Sequence, residues 1–321
     1  MFKVSVIIPA YNAEKTLLDL LRSLAGQTYS GPYEIIVVDN DSSDLTMDIL
    51  KNESINYPVP FKILKQPRGV PIARVRNYGA KHASGDIFAF IDSDCEAPLT
   101  WIQAAIDIFK VNGDSLLLAG SCHPPDKGTW VEKAWHSTRA GHKEGTFFVH
   151  GANFFISKKI FEDVCGFRED IETSEDYDLG RRVSIKYKIL TDQYLQVTHY
   201  GEANTLIKKI KKERWYSRNM IDTFRHDFKY KPFWITLTFL IVSLLSILSL
   251  VASSRELFFI FLLIDILLSF ALACFFCFRA NNYSYFFQLI PISFSYLVGR
   301  SIGLVDNFID LCYFSIINEK K

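Results

Sequence analysis

The run from Phe233 to Ser253 carries no charged residue across 21 positions, enough for a single helix to cross the hydrocarbon core of a bilayer. That feature excludes a purely soluble enzyme. A second run, Leu257 to Phe278, is interrupted only by Asp265, and the short SSRE link between the two makes them a helical hairpin. A third segment, Tyr285 to about Val305, is apolar but contains Pro291 and Arg300, so its composition is compatible with spanning, tilting or re-entering. Asp265 and Arg300 are costly in lipid unless they face protein or each other, which makes them candidate partners. The alternative is that Asp265 only specifies how the hairpin packs.

The rest of the chain is polar, and its charge is unevenly spread. With 36 Lys and Arg against 35 Asp and Glu, the net charge of +1 gives no global electrostatic case for a nucleic-acid partner. Residues 1–202 hold 22 basic and 27 acidic side chains, residues 203–231 hold 9 and 3, and residues 232–321 hold 5 and 5. The middle segment sets Lys208, Lys209, Lys211, Lys212, Arg214 and Arg218 among Trp215, Tyr216 and Phe224, the composition of a membrane-surface helix. Because it abuts a span, the positive-inside bias places residues 1–231 in the cytoplasm. Six scattered cysteines do not make a disulfide framework. Cys274 and Cys277 sit in an apolar run without the polar surroundings of a zinc or redox pair. The opening MFKVSVIIPAYN lacks a long apolar stretch followed by a small-residue cleavage site, so it reads as the start of a fold rather than a secretory signal.

Within the polar part, strand and helix patterns alternate. Phe2 to Ile8 is a buried-strand run closed by Pro9, and a helix bearing Leu17, Leu20, Leu21 and Leu24 follows Asn12 as N-cap and stops near Gly26. Further strands are expected at Tyr33–Val38, Phe61–Leu64, Ile87–Ile91 and Ser115–Ala119, with helices from Asp44 to about Glu53, Ile72 to Ala83 and Pro98 to Val111. Beyond residue 121 the pattern loosens, with strand-like Phe147–Val149 and Phe154–Ser157 and helices near Lys158–Cys165 and Ser174–Tyr187. This order argues an α/β fold with an open, mostly parallel sheet, whose ligands bind beyond the carboxyl ends of the strands. Asp39 and the pair Asp92 and Asp94 fall at two such ends. Neither GxGxxG after the first strand nor GxxxxGK[ST] occurs, which removes dinucleotide oxidoreductases and P-loop NTPases. In an extended strand end, residues two apart share a face about 6.6 Å apart along the chain, so Asp92 and Asp94 form a candidate oxygen site for Mg2+ or Mn2+ completed by substrate phosphates.

The segments VSVIIPAYNAEKTL, EIIVVDNDSSD, ARVRNYGAKHASGDIFAFIDSD, GANFFISKKIFEDVCGF and SEDYDLGRR, in this order over residues 2 to about 215, resemble the inverting family 2 glycosyltransferases of GT-A fold. The resemblance implies that Pro9, Tyr11 and Asp39 hold the nucleobase of a nucleotide diphosphate sugar, that Arg74 and Asp92 help hold its phosphates and sugar, and that Asp94 with Asp92 binds the divalent cation. Tyr11 stacking on the base while Asp39 accepts from a base N–H favours uracil or guanine over adenine. Asp176 matches the general base, with Glu175 beside it, Asp178 as a rival, and Thr173 or Ser174 as the helix cap. Gly151, Ala152 and Asn153 match a turn near donor sugar and acceptor. Arg214 and Trp215 resemble the end of the QxxRW motif of processive polysaccharide synthases, but Lys211 stands at the Gln position and argues against processivity.

The expectation is therefore a GT-A catalytic domain over 1–202, a basic amphipathic surface segment over 203–231 and an anchor over 232–321. Its donor is a nucleotide diphosphate sugar, UDP-linked in preference to GDP-linked. Its acceptor is lipid-linked or at the membrane surface, and its catalytic domain faces the cytoplasm at the cell (inner) membrane. Two alternatives accompany it: a transferase adding one sugar to a cell-surface polysaccharide or glycolipid on a non-polyprenyl acceptor, and a catalytically silent scaffold or nucleotide-sugar sensor.

Overall fold

The computed structural model describes residues 1–138, 149–226 and 228–318. The expected strand at 147–149 falls largely outside them. The chain divides into two compact units, Met1–Asp126 with His142–Glu202, and Lys127–Gly141 with Ala203–Lys321. The stretch 127–141, expected within the catalytic part, thus belongs with the C-terminal helices. In chain order the elements are β1 (Val4–Ala10), α1 (Leu17–Ala25), β2 (Tyr33–Asp39), α2 (Thr46–Ser54), β3 (Phe61–Lys65), α3 (Ile72–Lys81), β4 (Ile87–Ile91), β5 (Cys95–Glu96), α4 (Trp101–Asn112) and β6 (Leu116–His123). They continue with α5 (Trp130–Ser137), β7 (Asn153–Ser157), α6 (Lys158–Asp163), α7 (Glu175–Ser184), β8 (Lys188–His199), α8 (Leu206–Tyr216), α9 (Met220–His226), α10 (Lys231–Val251), α11 (Arg255–Ala280) and α12 (Phe286–Asn318).

The first unit is an eight-stranded sheet in the order β3-β2-β1-β4-β7-β6-β8-β5. Four of its seven pairings are parallel, which is why β1, β2 and β4 read as unbroken apolar runs buried on both faces. Two apolar clusters cover the faces, one built on Leu17, Leu20, Leu24, Trp101 and Phe109, the other on Phe88, Phe90, Phe154, Phe161 and Phe167. β1 runs on through Pro9 to Ala10 rather than closing before it. Ala10 turns its carbonyl to Asn40 beyond β2 at 2.9 Å, so alternation turns the imide edge of Pro9 toward β4, whose pairing with β1 ends at Ile7. A proline costs nothing where no ladder bond is due.

Asn12 does not cap α1. It takes a left-handed conformation with φ 49° and bonds instead to the turn after β2, accepting from Ser43 N and donating its own N–H to Ser42 Oγ, both at 2.9 Å. Ala13 N to Thr46 Oγ1 at 2.8 Å extends the stitch, so the loops that follow β1 and β2 form one rigid edge. Asp44, one residue before the N-cap Leu45 of α2, accepts from Thr46 N at 3.0 Å. β5 and β8, absent from the sequence reading, pair antiparallel with Cys95 directly opposite His199.

In the second unit a capping box joins Thr129 to Glu132 at the start of α5, and α12 packs along α8. The close approach depends on Gly299 and Gly303, where an added Cβ would run into the backbone oxygens of Ile210 and Arg214. Charges hold the same seam. Glu213, buried, accepts from Lys209 at 2.7 Å and from Arg300 at 2.8 Å, while Arg214 forms a bidentate pair with Asp306 at 2.6 and 3.1 Å. Asp265 and Arg300 are therefore not partners: Asp265 accepts from Ser243 across the hairpin at 2.9 Å, and Arg300 is spent on Glu213 and the Tyr230 hydroxyl. α10, α11 and the Phe286–Cys312 part of α12 are each long and apolar enough to cross a membrane.

Candidate active site

The ends of β1, β2, β3, β4 and β8, the turn before β7, α3 and the start of α7 assemble the site in the first unit. Asp39 ends β2, almost fully buried, and both its carboxylate oxygens accept from Ser42 N at 3.3 Å. Tyr11, 44% exposed, presents its ring beyond β1 with the Arg68 guanidinium 5.7 Å from its centroid. Asn40 Oδ1 and Gln66 Oε1, just past the ends of β2 and β3, are buried acceptor atoms without a partner among the described residues. Pro9 lies inside β1, buried, and supports this edge from below.

Arg74 does not reach the site. It is exposed on α3, while Arg76, two residues on, is 2% exposed and faces inward. Two residues on a helix are about 200° of rotation, so the two side chains leave opposite faces. Arg76 ion-pairs with Asp92 at 2.7 Å and with Glu175, donates to Gly151 O at 3.2 Å, and lies over the Phe167 ring. Burial opposes its charge, but Asp92 and Glu175 outweigh that and hold it firmly protonated. The arginine of the site was thus within the quoted motif but two positions away, immediately before Asn77, which in turn pins the Phe167 turn through bonds of 2.8 and 2.9 Å.

Asp92 and Asp94 part company. Asp92 gives Oδ1 to Arg76, whereas Asp94 lies 3.2 Å from His199 Nε2. The other ring nitrogen of His199 faces Glu202 at 3.5 Å. Burial favours the neutral ring, yet the two carboxylates prevail and push its pKa up to about 9. Ligand atoms of Asp94, Cys95 and His199 all lie within 4.8 Å of one another. A carboxylate and an imidazole, the imidazole backed by a second carboxylate, are the donor set of a divalent cation site, so these residues fit the cation that the fold implies. No local signal marked His199, because only the β5–β8 register brings it beside Asp94.

Gly151 and Asp176 face each other. Asp176 Oδ2 accepts from Gly151 N at 2.9 Å and Oδ1 from Tyr177 N at 2.7 Å. A Cβ on residue 151 would sit 2.9 Å from Arg76 and 3.2 Å from Asp176, which is why this position is glycine. Ala152, buried, accepts the Cys95 thiol at 3.8 Å. Asn153 does not face a substrate: fully buried, it accepts from Trp101 Nε1 at 2.9 Å and donates to Ser121 O and Leu195 O at 2.8 and 2.9 Å. Its amide nitrogen ties β7 to β6 and β8, and its oxygen ties β7 to α4.

Glu175 and Asp176 open α7, whose N-cap Ser174 adopts a left-handed φ of 64° and makes no side-chain cap. Burial, then the neighbouring Asp176 charge, lifts Glu175 to about 7 against the pull of Arg76. Asp176 is also raised, by burial first. Asp178 is no rival, since it pairs with Arg182 at 2.7 Å and Arg181 at 3.4 Å and Arg182 caps the Gly166 carbonyl. Arg214 and Trp215 belong to the second unit, where Arg214 is committed to Asp306 and Trp215 lies 5.2 Å from the Tyr216 ring.

Residues 5–165 match the family described as Glycosyl transferase family 2. The chain belongs to that family. As a family 2 glycosyltransferase it is 30% identical over 187 residues to Glycosyltransferase AglE of Haloferax volcanii, covering 56% of this chain and 61% of that one. It is 32% identical over 191 residues to a dolichol-phosphate mannosyltransferase of Pyrococcus furiosus, covering 58% of this chain and 52% of the relative. The chain thus matches between half and two thirds of the length of these relatives. Its fold is that of the mannosyltransferase PcManGT of Pyrobaculum calidifontis, solved with GDP-Man and Mn2+, with a TM-score of 0.64 at 17% identity over 96% of this chain and 88% of the other. The GT-A domain followed by apolar C-terminal helices is in place as expected.

Proposed function

We propose that this glycosyltransferase is membrane-anchored, metal-dependent and inverting, moving a sugar from a nucleotide diphosphate donor to a lipid-linked or membrane-surface acceptor at the cytoplasmic face, with Asp176 as general base. The observation that carries the reading is the division of labour among the acids around Arg76. Glu175 and Asp92 neutralise the guanidinium, while Asp176 is oriented by two backbone N–H groups and makes no ion pair among the described residues. A half-buried carboxylate whose pKa is raised is suited to take a proton. As the acceptor oxygen bonds to the anomeric carbon, its proton passes to Asp176, and the bond from that carbon to the donor phosphate breaks with the electron pair leaving on the diphosphate.

Asp94 and His199 would hold the divalent cation, with Glu202 orienting the ring; when bound, the cation offsets charge on the departing diphosphate. An imidazole beside a carboxylate suits Mn2+ better than Mg2+, which prefers oxygen. Tyr11 stacks on the base and Asp39 accepts from it, with Arg68 closing over the ring. A UDP-linked donor satisfies Asp39 with the single N–H of uracil. A GDP-linked donor is the second reading, favoured because Asn40 Oδ1 and Gln66 Oε1 add two unpartnered acceptors, matching the extra N–H donors of guanine, and because PcManGT binds GDP-Man. The dolichol-phosphate mannosyltransferase relative supports a polyprenyl phosphate acceptor over a soluble sugar.

In the anchor, α10 and α11 form the crossing hairpin, so α11 returns to the basic face from which α10 started. α12 begins six residues after α11 ends, and its residues 300, 306 and 307 bond to Glu213, Arg214 and Ile221 of that same face. Protein covers 56% of its apolar window, against 28% and 22% for the hairpin helices. These bonds and this burial support reading α12 as a shelf along the basic face rather than a third crossing, with residue 318 on the cytoplasmic side. The deciding experiment is transfer from UDP- and GDP-sugars to a polyprenyl phosphate by the detergent-solubilised protein, wild type against Asp176→Asn. Loss of transfer with nucleotide binding retained is expected, and full transfer by the variant would overturn the assignment.

A further inference from the structure

We infer that Cys95 makes the cation centre a thiophilic trap, in which Zn2+ binds through Asp94, the Cys95 sulfur and His199 and blocks the enzyme. The three ligand atoms already converge within 4.8 Å, and two of them, Asp94 Oδ1 and His199 Nε2, stand 3.2 Å apart. Ligands of a tetrahedral zinc lie roughly 3.5 Å from one another, given metal–ligand bonds of about 2.0 to 2.3 Å. Only the sulfur has to close in, by about 1 Å on that geometry. Little is lost in the move, because the thiol's hydrogen bond to Ala152 O is long, at 3.8 Å. The backbone imposes the convergence: Asp94 and Cys95 are adjacent, the β5–β8 register sets Cys95 opposite His199, and Asp94 O is tied to Tyr200 N at 2.8 Å.

Hard and soft ions then use different subsets of one site. Mn2+ or Mg2+ takes Asp94 and His199 and leaves the thiol aside, because hard ions gain little from a sulfur ligand. Zn2+ is soft enough to displace the thiol proton, so the Zn–S and Zn–N bonds form as the S–H and the His199 Nε2–H give their protons to solvent, and no electron is transferred. Three protein ligands leave a fourth position open on the solvent side, where Asp94 is 36% exposed. The zinc is nevertheless drawn toward the sulfur and held more tightly than the working ion. Beyond it lie a second thiol and imidazole, Cys122 and His150, 3.5 Å apart, with the His150 ring 5.9 Å from that of His199.

The inhibitory consequence rests on the proposed role of Asp94 and His199, but the binding itself does not, and the test separates them. Cd2+, a spectroscopic substitute for Zn2+, is titrated into the metal-free full-length protein in detergent, in a background where the exposed Cys165 and Cys312 are replaced by serine. Binding is expected to raise an ultraviolet sulfur-to-cadmium charge-transfer band that disappears in Cys95→Ser, while that variant keeps Mn2+ binding by electron paramagnetic resonance. Cys95→Ala serves equally if the serine variant fails to fold, and His199→Asn should lose both ions. Transfer by the wild type should be inhibited by Zn2+ and transfer by Cys95→Ser resistant to it. A cadmium band unchanged in both Cys95 variants overturns the trap. A band lost on mutation but no inhibition by Zn2+ overturns the role of the centre in transfer and leaves the thiophilic site standing.

Discussion

Replacing Arg76 by Met should cripple this protein, whereas the same change at Arg74 should barely register. Arg76 is the cation shared by Asp92, Glu175 and the Gly151 carbonyl, and Asp176 lies within its electrostatic reach. Removing it strands buried carboxylates, a loss of about 3 to 5 kcal/mol when one partner of a buried pair is taken away. That is roughly a 10²- to 10⁴-fold fall in the folding equilibrium. The stranded groups escape part of the penalty by holding protons. Glu175, already raised to about 7, rises further above its unfolded value, so its contribution to stability is retained below the unfolded carboxyl range and lost as pH rises toward the elevated value. Arg76→Met should therefore be close to tolerable near pH 5 and badly destabilised near pH 8. Arg76→Lys should fall between, since one ammonium cannot serve both carboxylates and the carbonyl in the guanidinium's geometry. Arg74→Met, on the exposed face, should stay within about 0.5 kcal/mol. Thermal and urea unfolding of the detergent-solubilised chain at the two pH values reads all three variants. Equal losses for Met at 74 and 76, or a pH-independent loss at 76, would refute the charge argument.

Gly151→Ala should overpack the contact between Arg76 and Asp176, costing about 1 to 3 kcal/mol, and should lower kcat more than it raises the KM for donor. In the metal-free protein, His199 is raised from 6.5 to about 9, so its contribution is complete below pH 6.5 and lost as pH climbs through 9. Glu175, raised from 4.5 to about 7, likewise favours the folded state below 4.5 and stops doing so as pH passes 7. Thermal unfolding of the metal-free chain should accordingly decline from acid to alkaline pH, with the alkaline portion flattened in His199→Gln. Leu in place of Gly303 should detach α12 from α8, seen as faster proteolysis of the second unit while nucleotide binding by the first persists. A protease site appended after residue 321 should be cut in inside-out membrane vesicles and protected in right-side-out ones; the reverse pattern would make α12 a third crossing.

How much of this was legible in advance varied with the range of the interaction. β1, β2 and β4 were readable because parallel strands buried on both faces must be unbroken apolar runs, and their carboxyl ends pointed to Asp39, Asp92 and Asp94 without any coordinates. Asp176 and Gly151 were reached through the family motifs, and the structure brings them together. Arg74 was taken for Arg76 because neighbours in a motif leave a helix on opposite faces, a distinction that rests on which face packs against the sheet. β5 has only two residues and no periodicity of its own, so neither it nor the partnership of Cys95 with His199 could be read locally.

Asn153 shows the same limit from the other side. The motif puts it in a turn near donor sugar and acceptor, whereas in the fold it opens β7 and its amide is consumed by Trp101, Ser121 and Leu195, three groups distant in the chain. The sequence by itself determined the α/β class, the family, the apolar anchor and which strand ends carry acid, because these follow from periodicity, charge-free length and contiguous motifs. Only the tertiary structure decided which arginine meets the acids, that Asp92 and Asp94 serve different partners, and that Arg300 answers Glu213 rather than Asp265. Burial makes each of those choices, since a charge removed from water must find its counter-charge in space, and the chain order does not say where that will be.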